Sequence, residues 1–205
     1  MKNYKDFVAQ KDNISVGFFP GAFKPPHKGH FDTALKMGQQ NNMGFVIVSA
    51  ETREDITSDK SLQIWNIYKK YLPANIEIKV VAGSPVTIIY QIVNILNNGE
   101  YKPTSEKALA PLPDALQIAD MIKSKGAAFK ITVYASTEDK ERYKAFFTKN
   151  EIYSGGGVTS VSSGDVSRLA SATEFRNAIK TDKQNAKNFL PPISSDDTDK
   201  IVQIL

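Results

Sequence analysis

The sequence predicts an α/β fold, a doubly wound parallel sheet of about five strands in a single domain. Short apolar runs alternate with helical patterns along the chain, which favours parallel strand pairing. The 205 residues are enough for one domain with a sizeable core, and the 41% hydrophobic content is typical of a globular protein. In such a fold, ligands are expected at the carboxyl ends of the strands.

The elements follow one another in a Rossmann-like order. Residues 15–19 (SVGFF) are predicted to form the first strand, residues 28–40 a helix, and residues 45–50 (FVIVSA) the second strand. A helix over 61–71, a strand over 76–81, helices over 86–96 and 114–123, and a strand over 129–135 continue the pattern. A fifth strand is predicted over 158–162, and a polar turn with a helix over 165–180.

Residues 1–182 are expected to form the domain, and residues 183–205 a tail that belongs to the same domain and ends in a short helix. Residues 154–157 (SGGG) are predicted to be a flexible joint. The polar loop 97–113, which contains Gly99 and three prolines, is either a lid over a substrate or a solvated connection.

Composition excludes several classes of protein. The absence of cysteine rules out disulfides, thiolate metal sites and a cysteine nucleophile. No apolar run is long enough to span a bilayer, and the first residues do not resemble a signal peptide, so a cytoplasmic protein without membrane contact is expected. The charge of +4 is spread along the chain and gives little indication of nucleic-acid binding, although it suits a protein that handles phosphorylated small molecules.

The segment 21–30 (GAFKPPHKGH) carries the clearest chemical signal. It directly follows the first predicted strand and opens the first helix, where unpaired N–H groups and the positive end of the helix dipole favour phosphate. Gly21 lets the backbone approach a ligand closely, and the two prolines stiffen the loop.

His27 and His30, the chain's only histidines, lie three residues apart at the helix start and are expected to converge on one bound group. As hydrogen-bond donors they can stabilise charge that builds on a triphosphate. The alternative is two packed or surface imidazoles, which the glycine and proline pattern of this turn makes the less favoured interpretation. Zinc binding is not expected, because two histidines supply only two ligands and no carboxylate lies in the turn, so no metal ligands are assigned.

These residues resemble a known family. The pattern G-x-F-x-P-x-H-x-G-H is the signature of the HIGH-motif nucleotidyltransferase superfamily, which includes adenylyltransferases of nicotinamide mononucleotide and of phosphopantetheine, and cytidylyltransferases. A second family signature near the carboxyl end is similar to residues 170–176 (ASATEFR), with Ser171, Thr173 and Arg176 in the corresponding positions. Ala170 and Ala172 depart from it. Ser171 or Thr173 could also simply cap a helix.

The resemblance implies a set of site residues. It assigns catalytic roles to His27, His30, Lys24 and Arg176, and nucleotide contacts to the group Gly21, Ala22, Phe23, Gly29, Ser171 and Thr173. Residues 133–140 (VYASTEDK) look like a degenerate form of a further family segment that lacks its glycine. Ser136 and Asp139 either contact nucleotide there or belong to a strand end and helix cap.

The implied reaction is transfer of a nucleotidyl group, expected to be adenylyl, from a nucleoside triphosphate to a phosphate-bearing small molecule, with release of pyrophosphate. Lys24 in the turn favours the branch that acts on nicotinamide mononucleotide, and hence ATP. Magnesium is expected to accompany the triphosphate, held by phosphate oxygens and water. The alternatives are a cytidylyltransferase acting on a phosphorylated alcohol and a non-catalytic nucleotide-binding module. A homo-oligomer is compatible with the sequence.

Overall fold

The computed structural model is a three-layer α/β/α structure and describes residues 13–103, 110–135, 158–165 and 171–205, with residues 158–165 described as backbone only. The strands are β1 (Asn13–Gly21), β2 (Met43–Ser49), β3 (Ile76–Val81), β4 (Ala128–Ala135) and β5 (Val158–Asp165). The helices of the described residues are α1 (Lys28–Gln40), α2 (Ser58–Lys69), α3 (Pro85–Asn98), α4 (Pro113–Lys123), α5 (Ala172–Thr181) and α6 (Ser195–Ile204). A 3-10 helix, Lys183–Phe189, lies between α5 and α6.

The five strands are parallel and lie in the order β3-β2-β1-β4-β5, with β1 in the centre. The chain moves outward from β1 to β3 and then crosses back to β4 on the other side of β1. Gly21 is level with Val48, and Phe18 with Val133, so β1, β2 and β4 end at the same edge of the sheet. The carboxyl ends of β1 and β4 therefore form the topological switch point, where ligands bind in this architecture.

Two hydrophobic cores hold the helices against the sheet. On one face α3 and α4 cover side chains such as Phe18 and Phe45, whose rings stack with centroids 5.6 Å apart. On the other face α1, α2, α5, the 3-10 helix and α6 enclose a second core around Trp65 and Phe175. The helices carry their own start signals, because Thr57 caps α2, and Pro85 and Pro113 occupy the first turns of α3 and α4.

The fold class predicted from the sequence is confirmed, with five parallel strands between two helical layers. Boundaries differ by a few residues. Helix α2 begins at Ser58 rather than at residue 61, because Thr57 accepts the hydrogen bond of the Lys60 N–H at 3.2 Å. Strand β5 extends to Asp165, since its pairing with β4 continues to Ala135. The predicted joint at 154–157 lies outside the described residues.

The tail packs on the body of the fold. Asp197 of α6 accepts hydrogen bonds from Lys70 Nζ at 2.8 Å and from the Tyr71 hydroxyl at 2.9 Å, both near the end of α2. Ile201 and Val202 are buried in the second core. In the part of the chain that the structure describes, no helix has the length and apolar character needed to cross a membrane.

The polar loop after α3 is anchored to that helix at both of its described ends. The Asn94 side chain bonds the N–H and carbonyl of Lys102, each at 2.8 Å, and Gln91 Oε1 accepts the Leu112 N–H at 2.9 Å. Residues 104–109 lie outside the described residues, so the lid remains a prediction.

Candidate nucleotide site

The turn after β1 is built around the ring of Phe23. The ring lies directly over Gly21, where an added Cβ atom would stand 2.7 Å from it, so packing within the turn requires glycine. Phe23 has a φ of 51°, a left-handed conformation that is unfavourable for a bulky residue. Edge contacts with Phe19 at 4.8 Å, His30 at 4.9 Å and Trp65 at 5.4 Å between ring centroids stabilise it there.

Helix α2 holds the backbone of the turn through two buried hydroxyl groups. The Ser61 hydroxyl donates to the Phe23 carbonyl at 2.8 Å, and the Tyr68 hydroxyl donates to the Pro26 carbonyl at 3.3 Å. Burial raises the pKa of Tyr68, so the phenol keeps its proton and remains a donor. Sequence reasoning missed both residues; the available signal was their spacing, which places both hydroxyl groups on the helix face that carries Ile64 and Trp65.

The two histidines form a stacked pair at the amino end of α1. His27 is the N-cap residue, and its ring lies 3.6 Å from that of His30 between centroids, with an interplanar angle of 21°. The backbone N–H of His27 donates to Nδ1 of His30 at 3.2 Å. This bond is one half of a capping box, with histidine in the place usually taken by glutamate or glutamine, while the His30 N–H donates to the His27 carbonyl at 2.9 Å.

Both imidazoles are neutral at physiological pH. Burial, assisted by the charge of Lys28, lowers the pKa of His27 to about 4, and burial together with His27 holds the pKa of His30 well below its ordinary value. Because Nδ1 of His30 accepts a hydrogen bond, its single proton lies on Nε2. Nδ1 of His27 is buried and has no hydrogen-bond partner in the described part of the chain. The pair thus offers a neutral N–H donor and an unsatisfied polar atom next to a helix N-terminus.

The remaining turn residues lie at the same edge of the sheet. Ala22 is exposed, and Gly29 is buried in the first turn of α1, where its carbonyl accepts the Thr33 hydroxyl at 2.8 Å. Lys24 is buried, with 2% of its surface exposed, and its Nζ donates to the Ser49 carbonyl at the end of β2 at 3.2 Å. Burial lowers the pKa of Lys24, and the charge of Asp59 opposes this effect. In this structure Lys24 therefore ties the turn to β2.

The second motif meets the first through Arg176. Ser171 caps α5 by accepting the Glu174 N–H at 3.5 Å, as expected from the helix-cap interpretation. Arg176 is buried and donates through Nη1 to the Lys24 carbonyl at 2.9 Å and through Nη2 to the Thr173 hydroxyl at 3.2 Å.

The third contact of Arg176, from Nε to a carboxylate oxygen of Glu54 at 2.9 Å, was not anticipated from the sequence. Glu54 lies in a turn between β2 and α2, and nothing in its local pattern pairs it with residue 176. The structure thus brings together the turn and the Thr173–Arg176 pair, while Ser136, Asp139 and Ala170 lie outside the described residues.

The side chains of the described residues were compared with the sets of ligands that hold a metal ion in proteins. No group of three or more histidine, cysteine, aspartate or glutamate residues that could hold a metal ion occurs among the described residues.

Comparison with solved structures shows that the chain shares its fold with a nucleotide-metabolising enzyme of known structure, described below. No protein-family model matches the chain, and no curated protein matches it.

Among solved structures, the chain is similar to Plasmodium falciparum nicotinic acid mononucleotide adenylyltransferase complexed with APC, with a TM-score of 0.51 and 11% identity over 94% of this chain and 98% of that one. The same enzyme complexed with NaAD gives a TM-score of 0.51 and 10% identity over the same shares. The NadR protein in complex with NAD and AMP-PNP gives 0.45 and 15%, covering 84% of this chain and 44% of the NadR chain, so this chain spans less than half of NadR.

Proposed function

We propose that this protein is a nucleotidyltransferase that moves the nucleotidyl group of a nucleoside triphosphate onto a phosphate-bearing small molecule and releases pyrophosphate. The observation that carries the proposal is the stacked pair of neutral imidazoles at the amino end of α1, beside the switch point of the sheet. A helix N-terminus there supplies N–H groups for phosphate, and the turn that leads into it is rigidly packed.

The proposed reaction is an in-line attack by an oxygen of the acceptor phosphate on the α-phosphorus. A bond forms between that oxygen and the phosphorus, and the bond to the bridging oxygen of pyrophosphate breaks. The acceptor phosphate is already ionised, so no general base is needed, and the protein's contribution is positioning and charge stabilisation. Magnesium bound to the triphosphate would supply further neutralisation of the phosphate charge.

His27 and His30 are assigned to the oxygens of the triphosphate. The hydrogen bond that a neutral imidazole donates from Nε2 becomes stronger as negative charge develops on the leaving pyrophosphate. Removing water from a neutral ring before the reaction costs little free energy. Lys24 and Arg176 are assigned to phosphate charge, and both would have to exchange the carbonyl groups they contact in this structure for phosphate oxygens.

ATP is the proposed donor. Lys24 in the turn favours the adenylyltransferase branch, and the similar structures with the higher TM-scores are described as nicotinic acid mononucleotide adenylyltransferase. The acceptor proposed on the same basis is a mononucleotide, which carries the phosphate that the reaction requires.

The test is a screen for pyrophosphate release by the purified protein, with ATP or CTP crossed against mononucleotides, phosphopantetheine and phosphorylated alcohols. The proposal expects release that depends on both a triphosphate and one acceptor, with ATP preferred. Preference for CTP with a phosphorylated alcohol would identify a cytidylyltransferase instead.

A non-catalytic nucleotide-binding module is the second candidate, and the engagement of Arg176 favours it. The guanidinium is bonded to a carboxylate, a carbonyl and a hydroxyl of the chain itself. Calorimetric binding of ATP, combined with no pyrophosphate release from any pair in the screen, would support this candidate and contradict the enzyme.

A further inference from the structure

A cleft of about 190 Å³ is lined in part by Arg176 and by the turn that contains Glu54. Its walls combine three apolar residues with three cations and two carboxylates, namely Ile56, Ile179, Leu205, Arg176, Lys180, Lys183, Glu54 and Asp55. None of residues 21–30, called the histidine turn from here on, lines it. The cleft is therefore a second place, adjacent to the proposed nucleotide site, where three cationic side chains gather.

The carboxylate of Glu54 bridges two of these cations. One oxygen accepts from Nε of Arg176 at 2.9 Å, and the other is paired with Nζ of Lys180 at 2.7 Å. Arg176 and Lys180 are four residues apart on α5, so they lie on one face of that helix. Hydrogen bonds from Lys180 and Arg176 hold the pKa of Glu54 below its ordinary value. A single anionic group at this position is thus contacted from two sides.

The backbone of Glu54 has a conformation that is unfavourable for a residue with a side chain. Its φ is 54°, in the left-handed region, within a short turn that is closed by two hydrogen bonds between Arg53 and Ile56 at 3.1 Å each. Glycine or asparagine would adopt that conformation with less strain. Strain at such a position points to a function of the side chain.

Arg176 connects this carboxylate to the turn. Its Nε contacts Glu54, while Nη1 donates to the carbonyl of Lys24 in the histidine turn. The side chain of Arg176 is 7% exposed and that of Glu54 40% exposed, so an incoming anion reaches the carboxylate before it reaches the guanidinium. An anion that takes the place of the carboxylate would therefore change the contacts of a residue bonded to the turn.

We propose that Glu54 is an internal competitor for a phosphate-bearing anion, which displaces the carboxylate and binds between Arg176 and Lys180. The inference deepens the proposed function, on which it rests for the identity of the anion. The shared chemistry is a phosphate group with at least two negative charges. Its source is either the triphosphate of the nucleotide itself or a separate phosphorylated ligand.

The test measures binding of inorganic tripolyphosphate to the whole protein by calorimetry at low ionic strength. Glu54→Gln removes the competing charge at an exposed position and should tighten binding by about tenfold, because hydrogen bonds between charged groups are the strong ones. The matched control is Glu51→Gln, the same change on an exposed residue that precedes the turn and makes no ion pair in the described part of the chain. This control should change the affinity by less than about threefold, as expected for a screened charge.

A third variant tests the other side of the site. Lys180→Ala, added to Glu54→Gln, should remove most of the gain. Equal gains from Glu54→Gln and Glu51→Gln would overturn the proposal in favour of a general charge effect, and weaker binding by Glu54→Gln would show that the carboxylate positions Arg176 rather than competing for it. Melting curves identify any variant that is not folded.

Repeating the titration of Glu54→Gln with saturating ATP separates the two sources. Loss of tripolyphosphate binding assigns the site to the nucleotide's own phosphates, and retained binding assigns it to a separate ligand; either result supports an anion site. Tripolyphosphate binding requires no turnover, so its failure leaves the screen for pyrophosphate release intact, and failure of that screen leaves the binding result intact.

Discussion

The chemistry proposed for this protein depends on the protonation state of two imidazole rings. A charged pair with centroids 3.6 Å apart would be repulsive, and burial already disfavours the charge on each ring. The hydrogen bond from the His27 backbone fixes the tautomer of His30 and leaves its proton on Nε2. This hydrogen bond therefore has two effects. It helps to start helix α1, and it fixes the orientation of the His30 ring that is proposed to contact phosphate.

Replacing His30 by glutamine separates these two effects. Glutamine at this helix position can accept the His27 N–H as the imidazole does, so folding should be preserved. A donor that acts in the transition state contributes on the order of 3 kcal/mol, and the expected loss is about a hundredfold in turnover with little change in nucleotide affinity. Initial rates and melting curves measured side by side check this. Near-normal turnover per folded molecule would assign a packing role to the ring.

The histidines also predict how stability depends on pH. An unfolded histidine binds a proton near pH 6.5, whereas His27 in the folded protein does so only near pH 4. Between these values the unfolded state holds more protons, so the free energy of unfolding falls as the pH is lowered, by up to about 1.4 kcal/mol per pH unit for each histidine.

Denaturant unfolding at pH 7 and at pH 5 measures this slope. A variant with glutamine at both histidine positions should lose most of it, because the chain has no other histidine. An unchanged slope in that variant would mean that the imidazoles are not desolvated in the folded protein.

At the scale of elements, the turn is held by helices that are distant in sequence. Helix α2 bonds the carbonyls of Phe23 and Pro26, and α5 bonds the carbonyl of Lys24 through Arg176. These contacts satisfy backbone acceptors that would otherwise be buried and unpaired. They also fix the direction in which the first N–H groups of α1 point, which is what a phosphate site at a helix N-terminus needs.

Ser61→Ala tests this support directly. It leaves the buried Phe23 carbonyl without its partner and should lower the free energy of unfolding by about 1–3 kcal/mol, with weaker nucleotide binding because the turn loosens. Ser124→Ala, at the exposed end of α4, is the matched control and should change neither quantity appreciably. Intact affinity in a folded Ser61→Ala protein would show that the turn keeps its shape without α2.

Local patterns were sufficient to predict the five strands and the α-helices of the described residues, because each has its own apolar periodicity, but they did not predict the 3-10 helix Lys183–Phe189. The turn could be located for the same reason. Its supports could not, since the Ser61, Tyr68 and Glu54 contacts join residues 38 to 122 positions apart. Nor could the sequence indicate that Gly21 accommodates the ring of Phe23, which lies over it in the structure.

At the scale of the whole molecule, the strand order β3-β2-β1-β4-β5 places the histidine turn after the central strand β1, in the middle of the carboxyl edge of the sheet. The chain leaves β1 towards one edge of the sheet and returns to β4 on the other side, which opens a crevice at the carboxyl ends of these two strands. The second core reaches that edge, since it includes Phe23 of the turn and Phe175 of α5, so the turn is part of the packed body of the fold. The account places nucleotide and acceptor in this crevice, where attack on the α-phosphorus can be in line.

The most direct test of that account follows the α-phosphate. ATP labelled at the α-phosphorus is incubated with the acceptor found in the screen, and the products are separated. The account predicts that the label appears in a dinucleotide joined to the acceptor phosphate, in amounts equal to the pyrophosphate released, and that His30→Gln slows its appearance by about a hundredfold. Label that remains in ATP, or that appears only as free AMP, would contradict nucleotidyl transfer.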